Sequence, residues 1–125
     1  MWWSLEIKKT IYSAKKPKMI TVSESDILKS ILRLLKIHPK VAIAYRCNSG
    51  AAQMGGQRYV AFGFTGLSDI AGVLVGGRAF YIEVKAKSGK VSKEQKEFID
   101  KVNFSGGLAF VARSVIYVSE ELDKL

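Results

Sequence analysis

Residues 68–85 read SDIAGVLVGGRAFYIEVK, and the fold of the chain turns on them. Ile70 to Val75 is apolar throughout and predicts a strand. Gly76-Gly77 supplies a tight turn, and Arg78 to Lys85 predicts a second strand, so residues 70–85 form a hairpin. Residues two apart on a strand share a face. Glu83 and Lys85 therefore project together, while Ile82 and Val84 turn the other way into apolar packing. Asp69 opens the partner strand, and closing the hairpin at Gly76-Gly77 brings it alongside Glu83 and Lys85. Two carboxylates held close repel and favour a divalent cation between them. Oxygen-only ligands select Mg²⁺ or Mn²⁺ over zinc. An ammonium group beside such an ion orients an attacking water or stabilises charge on a phosphate. A plain surface ion pair is the competing reading of Glu83 and Lys85 taken alone.

Towards the N-terminus, Val41 to Tyr45 predicts a buried strand. Arg46-Cys47-Asn48-Ser49-Gly50 follows, then a loop or hairpin rich in Gly, Gln and Arg up to about Gly66. The aromatics Tyr59, Phe62 and Phe64 are expected to pack the core, with wedging of a DNA junction as the competing use. Ser23 predicts the N-cap of a helix to about Ile37, with Asp26 at the third helical position and Glu24 in the dipole-favoured first turn. Ile27, Leu28, Ile31, Leu34 and Leu35 recur at helical spacing as its core stripe. Residues 1–22 read as an N-terminal arm, a short strand from Leu5 to Tyr12 followed by the basic Lys15-Lys16-Pro17-Lys18. Towards the C-terminus, Ser92 caps a second helix with apolar Phe98, Ile99 and Val102, ended by Gly106-Gly107. Leu108 to Val111 predicts a final strand, and Ser114 to Leu125 a short helix or tail. The order helix, strand, hairpin, helix, strand implies an α/β fold with a mixed β-sheet flanked by helices.

Composition narrows the chemistry. The 125 residues suit one domain, and 48% hydrophobic with 25% charged residues is ordinary for a folded protein. Twenty Lys and Arg against eleven Asp and Glu give a net charge of +9. Such a surplus favours a polyanionic partner, because neutralised phosphates release counterions. Cys47 is the only cysteine, which precludes an intrachain disulfide and points to a reducing compartment. One Cys and one His cannot build a zinc-finger site. His38, at a helix end just before Pro39, argues against Ser/His/Asp and His–metal chemistry. No apolar stretch follows Trp2-Trp3, since Glu6, Lys8 and Lys9 interrupt it. The expectation is a cytoplasmic protein without membrane contact.

Gly66-Leu67-Ser68-Asp69, then Ile82-Glu83-Val84-Lys85, then Gly89-Lys90-Val91-Ser92-Lys93-Glu94-Gln95 together resemble the PD-(D/E)XK nuclease superfamily. More narrowly the set resembles its VRR-NUC branch, found as stand-alone phage and bacterial proteins. Glu24, Arg46-x-Asn48-x-Gly50 and Val111-Ala112-Arg113-Ser114 add to the likeness, which covers about residues 23–114. The Pro that usually precedes the first acid is replaced by Ser68.

The resemblance implies a restriction-endonuclease-like core over 23–125 and an Mg²⁺- or Mn²⁺-dependent DNA endonuclease. Asp69, Glu83 and the Val84 backbone carbonyl would be metal ligands, with Glu24 acting through a water. Lys85 would be the catalytic lysine, with Gln95 positioning it or the phosphate. No small-molecule cofactor is expected. Arg46, Asn48, Arg58, Lys87, Lys90, Lys93 and Arg113, with Lys96 nearby, are the expected DNA contacts, serving to position a duplex rather than read its sequence. Stand-alone members of this branch resemble Holliday junction resolvases, which implies branched DNA as substrate and a homodimer, with the arm available to cross to a partner. The rival reading is a catalytically inactive basic nucleic-acid-binding module. A metal-independent RNA endonuclease would need a His general base, and His38 is poorly placed for it.

Overall fold

The computed structural model describes residues 22–47, 50–54, 58–62 and 65–125, with the two segments between 50 and 62 described as backbone. The N-terminal arm lies outside the described residues. So do the side chains of residues 48–64, and with them the expected packing of Tyr59, Phe62 and Phe64.

Helix α1 spans Glu24–Ile37, and its start is set by Ser23, whose Oγ accepts from the Asp26 N–H at 3.1 Å. Its stripe Ile27, Leu28, Ile31 and Leu35 is buried, while Leu34 packs from the side. The helix stops at His38, extended backbone ahead of Pro39, as a residue before proline favours. His38 Nδ1 accepts from the Lys40 N–H, and its Nε2 lies 3.6 Å from Asp123, so it serves as a helix-end residue.

Four strands form one mixed sheet in the order β1-β4-β5-β6: β1 Val41–Arg46, β4 Ile70–Leu74, β5 Ala79–Val84 and β6 Leu108–Ala112. Strands β2 (Gly50–Met54) and β3 (Arg58–Phe62), which fall between β1 and β4 in sequence, pair with each other as a separate antiparallel hairpin. The predicted central hairpin is β4–β5, paired Ile70↔Ile82 through Val73↔Ala79, and its turn uses positive φ at Gly76 and Gly77. Strand β6 lies parallel to β5 and is reached through α2 (Lys93–Phe104), a β–α–β crossover. Helix α3 (Val115–Asp123) resolves the helix-or-tail alternative: Ser114 Oγ caps it by accepting from the Tyr117 N–H, and Val118 and Leu122 are fully buried one turn apart. The result is an α/β fold with a four-stranded mixed sheet between helices, the architecture of a restriction-endonuclease-like core.

Phe80, Ile82 and Val84 of β5 join α1 and α3 in a single core on one sheet face. Tyr81 and Glu83 face the other way, where α2 lies; Tyr81 meets Phe98 edge to face at 4.9 Å. Strand β1 departs from expectation. It is a sheet edge, with Ile43 58% and Tyr45 55% exposed, rather than buried. Only Val41 and Ala44 pack on the core, and the register shifts between Val41 and Ile43.

Candidate active site

Strand register builds the site. Ile70 pairs with Ile82, so one step outward sets Asp69 opposite Glu83. Asp69 is also tied down locally. Its Oδ2 accepts from the Val84 N–H at 2.8 Å, and its carbonyl accepts from the Cys47 N–H at 2.7 Å. Glu83 is 2% exposed. Its Oε1 accepts from Gln95 Nε2 at 2.9 Å and lies 3.4 Å from Lys85 Nζ, while Lys85 is itself only 14% exposed. Gln95 is in turn held by a capping box. Ser92 Oγ accepts from the Gln95 N–H at 3.1 Å, and Gln95 Oε1 accepts from the Ser92 N–H at 2.9 Å. Helix α2 is seated by Gly66, whose φ of +90° and close approach to the Glu94 carbonyl leave no room for a Cβ.

The electrostatics follow from this geometry. Burial, reinforced by the charge and hydrogen-bonding reach of Asp69, pushes the Glu83 carboxyl up to about 7, with Lys85 opposing. Burial first, then the Asp69 charge, raises the Cys47 thiol. Glu83 Oε2 is buried without a hydrogen-bond partner among the described residues. An orphaned carboxylate oxygen beside a second carboxylate fits a divalent cation, because both acids then lose their mutual repulsion and the lone pairs gain a partner.

The raised Glu83 carboxyl carries a stability prediction. The folded chain holds this proton more tightly than the unfolded chain, so the contribution of Glu83 to stability is full below about pH 4.5 and is lost as pH rises through about 7. With divalent cations chelated, the loss across that interval should be on the order of 3 kcal/mol. Added Mg²⁺ should recover much of it at pH 8 and little at pH 5. Thermal melts at both pH values, with EDTA and with Mg²⁺, measure this; a melting temperature in EDTA that is flat or rises with pH would contradict it.

The other expected site residues divide. Glu24 stands exposed in the first turn of α1, and no third Asp, Glu, His or Cys joins Asp69 and Glu83 as a metal-holding group among the described residues. Arg46 ends β1 opposite Ile70, whose side chain enters the α1 core, so its register position is off the face carrying Glu83. Lys87, Lys90, Lys93 and Lys96 are exposed between β5 and the start of α2, with Lys93 3.8 Å from Glu97. The side chains of Asn48 and Arg58 lie outside the described residues. Arg113 is exposed, yet its Nη1 donates to the carbonyls of Ala86 at 2.6 Å and Gly89 at 2.8 Å. Sequence reasoning missed Cys47 as a neighbour of Asp69; counting one residue past a correctly paired β1 and β4 would have found it. It also missed Lys40, whose Nζ caps α3 through the Leu122 and Leu125 carbonyls, a contact 82 residues distant with no local signal. Among the described residues, no helix is long and apolar enough to cross a membrane.

A family model described as the VRR-NUC domain matches residues 18–116. No curated protein and no solved structure matches the chain.

Proposed function

This chain belongs to the VRR-NUC domain family, a nuclease-type family, and on that premise we propose that it is an Mg²⁺- or Mn²⁺-dependent endonuclease hydrolysing DNA phosphodiester bonds. The observation that carries this reading is the buried Glu83 carboxylate. One of its oxygens is engaged by Gln95 and Lys85, and the other, beside Asp69, has no hydrogen-bond partner among the described residues. A binding module has no use for such a pair, since carboxylates repel phosphate. Asp69 and Glu83, with the Val84 backbone carbonyl, would hold the cation, and Glu24 would reach it through a water. The cation would supply Lewis-acid polarisation of the scissile phosphate and activation of the attacking water.

The chain's own side chains then have separate tasks. The Val84 N–H fixes how Asp69 presents its carboxylate. Gln95 holds Glu83 in place. Lys85 offsets negative charge building on the phosphate, a partly buried site where such a charge counts for more than in water. The net charge of +9 supports a polyanionic substrate, with Lys87, Lys90 and Lys93 beside the site as phosphate contacts. Branched DNA such as a Holliday junction is the proposed substrate and a homodimer the proposed working form, on the likeness to junction-resolving members of the branch.

The test is a panel of a synthetic four-way junction, a flap, a plain duplex and a single strand, each incubated with Mg²⁺, Mn²⁺ or EDTA. Cutting with either cation, strongest on the junction, and none in EDTA is the expected result. Cutting that persists in EDTA would overturn the cation, and uniform cutting of all four DNAs would overturn the branched-DNA preference. Light scattering at micromolar concentration should give the mass of a dimer; a monomer would remove the two-fold assembly.

A further inference from the structure

We propose that Arg113 is a positioning residue for Lys85, acting through the turn that joins β5 to α2 rather than through DNA phosphate. The inference rests on the nuclease reading of the site. Lys85 directly follows β5, and the chain then turns through Ala86-Lys87-Ser88-Gly89 before Ser92 caps α2. The Gly89 N–H closes this turn onto the Ala86 carbonyl at 3.0 Å. The turn forms a wall for the lysine stem: a methyl placed on Gly89 would stand 3.4 Å from Lys85 Cδ. Both ends of the turn are fastened from Arg113, the residue that follows β6. Arg113 Nη1 donates to the Ala86 carbonyl at 2.6 Å and the Gly89 carbonyl at 2.8 Å, and reaches the Lys87 carbonyl at 3.4 Å. On the strand side, the Lys85 N–H donates to the Ala112 carbonyl at 3.0 Å, one residue before Arg113.

Three carbonyl oxygens converge on one cationic nitrogen, which is stronger than the same contacts to a neutral donor. The segment they fasten has Lys85 at one end and the capping box of Gln95 at the other. Releasing it would free the lysine stem to leave Glu83 and would loosen the helix start that presents Gln95. A displacement of about 1 Å in a catalytic group is enough to cost on the order of a hundredfold in rate.

The experiment compares Arg113→Ala and Arg113→Lys with the wild-type chain in three measurements. At saturating DNA with Mg²⁺, Arg113→Ala should lose about 10- to 100-fold in kcat with KM for DNA nearly unchanged. Arg113→Lys, which keeps a cationic donor, should recover part of the loss, as should millimolar guanidinium added to the Ala variant. Hydrogen–deuterium exchange over residues 85–92 should be faster in Arg113→Ala, and this readout is independent of cleavage. A variant that keeps kcat but weakens binding, with the salt slope of DNA affinity reduced by about 1, would identify Arg113 as a phosphate contact and overturn the proposal. Unchanged exchange at residues 85–92 in Arg113→Ala would also overturn it, whatever the variant's kinetics; should that variant fail to fold, Arg113→Gln, which keeps the size of the side chain without its charge, is measured the same way. Accelerated exchange in a wild-type background that cuts no DNA would sustain the fastening and remove the nuclease reading instead.

Discussion

Lys85→Ala should slow single-turnover DNA cleavage by about 10²- to 10³-fold while leaving DNA affinity within about threefold of wild type. The ammonium group is 14% exposed and 3.4 Å from Glu83 Oε1, so it acts in partly water-excluded surroundings where one fixed charge is worth several kcal/mol to a developing phosphorane charge. The exposed lysines around the site remain, and with them the counterion-driven share of affinity. Loss of the ammonium also removes the positive charge that opposes the upward shift of Glu83, leaving the Gln95 amide as its remaining donor, so the carboxyl should move higher still and hold its proton to higher pH. The variant's pH–rate profile should therefore shift to the alkaline side. Asp69→Asn should fail more completely, because it removes a carboxylate while keeping the shape that accepts the Val84 N–H. Cleavage rates on a labelled junction with Mg²⁺, and binding measured with Ca²⁺, separate the two quantities. Cutting by either variant within tenfold of wild type would mean that the chemistry lies elsewhere.

Gly66→Ala should lower the melting temperature by about 10 °C and cleavage along with it. The residue sits at φ +90°, where an L side chain is strained, and a Cβ there would stand 2.4 Å from the Glu94 carbonyl oxygen and 3.1 Å from the Gln95 nitrogen. Backbone cannot give way as the end of a flexible side chain can. The strain and the overlap together cost about 3 kcal/mol or more. The first turn of α2 must move outward to relieve the clash, and Gln95 moves with it, so Glu83 loses its amide donor. Differential scanning calorimetry and cleavage assays read the two effects. A variant melting within about 2 °C of wild type would show that α2 is not seated on this glycine.

The sequence made the hairpin, the helix caps and the α1 stripe readable, because each is a local pattern: two apolar runs either side of Gly76-Gly77, Ser23 and Ser92 ahead of periodic runs, and Ile27, Leu28, Ile31 and Leu35 at helical spacing. That Asp69 comes near the Glu83 end of the partner strand was readable from the tight glycine turn, but the register was not. A two-residue turn at Gly76-Gly77 would set Asp69 opposite Val84, whereas the turn also takes in Val75, pairing Val73 with Ala79 and so Asp69 with Glu83. Strand β1 was misread since Val-Ala-Ile-Ala-Tyr is apolar enough for a central strand, and whether a strand is central depends on neighbours the segment does not contain. Gly66 stood inside a recognisable motif, yet its reason is a contact with a helix start 28 residues later. Arg113 looked like any basic residue beside a nucleic-acid site, and nothing near it in sequence announces the carbonyls of residues 86–89. Long-range polar contacts of this kind have no periodicity to betray them.

The side chain of residue 95 answers to two masters of opposite polarity. The helix start needs an acceptor for the Ser92 N–H, a need Glu would meet as well as Gln. The Glu83 oxygen on its other side needs a donor, which Glu at neutral pH is not. Only an amide offers a lone pair at one end and hydrogens at the other, and the Ser92 contact decides which end points where. A change to Glu, silent for the helix by itself, would set a third carboxylate against the buried acid and turn a latch into a repulsion.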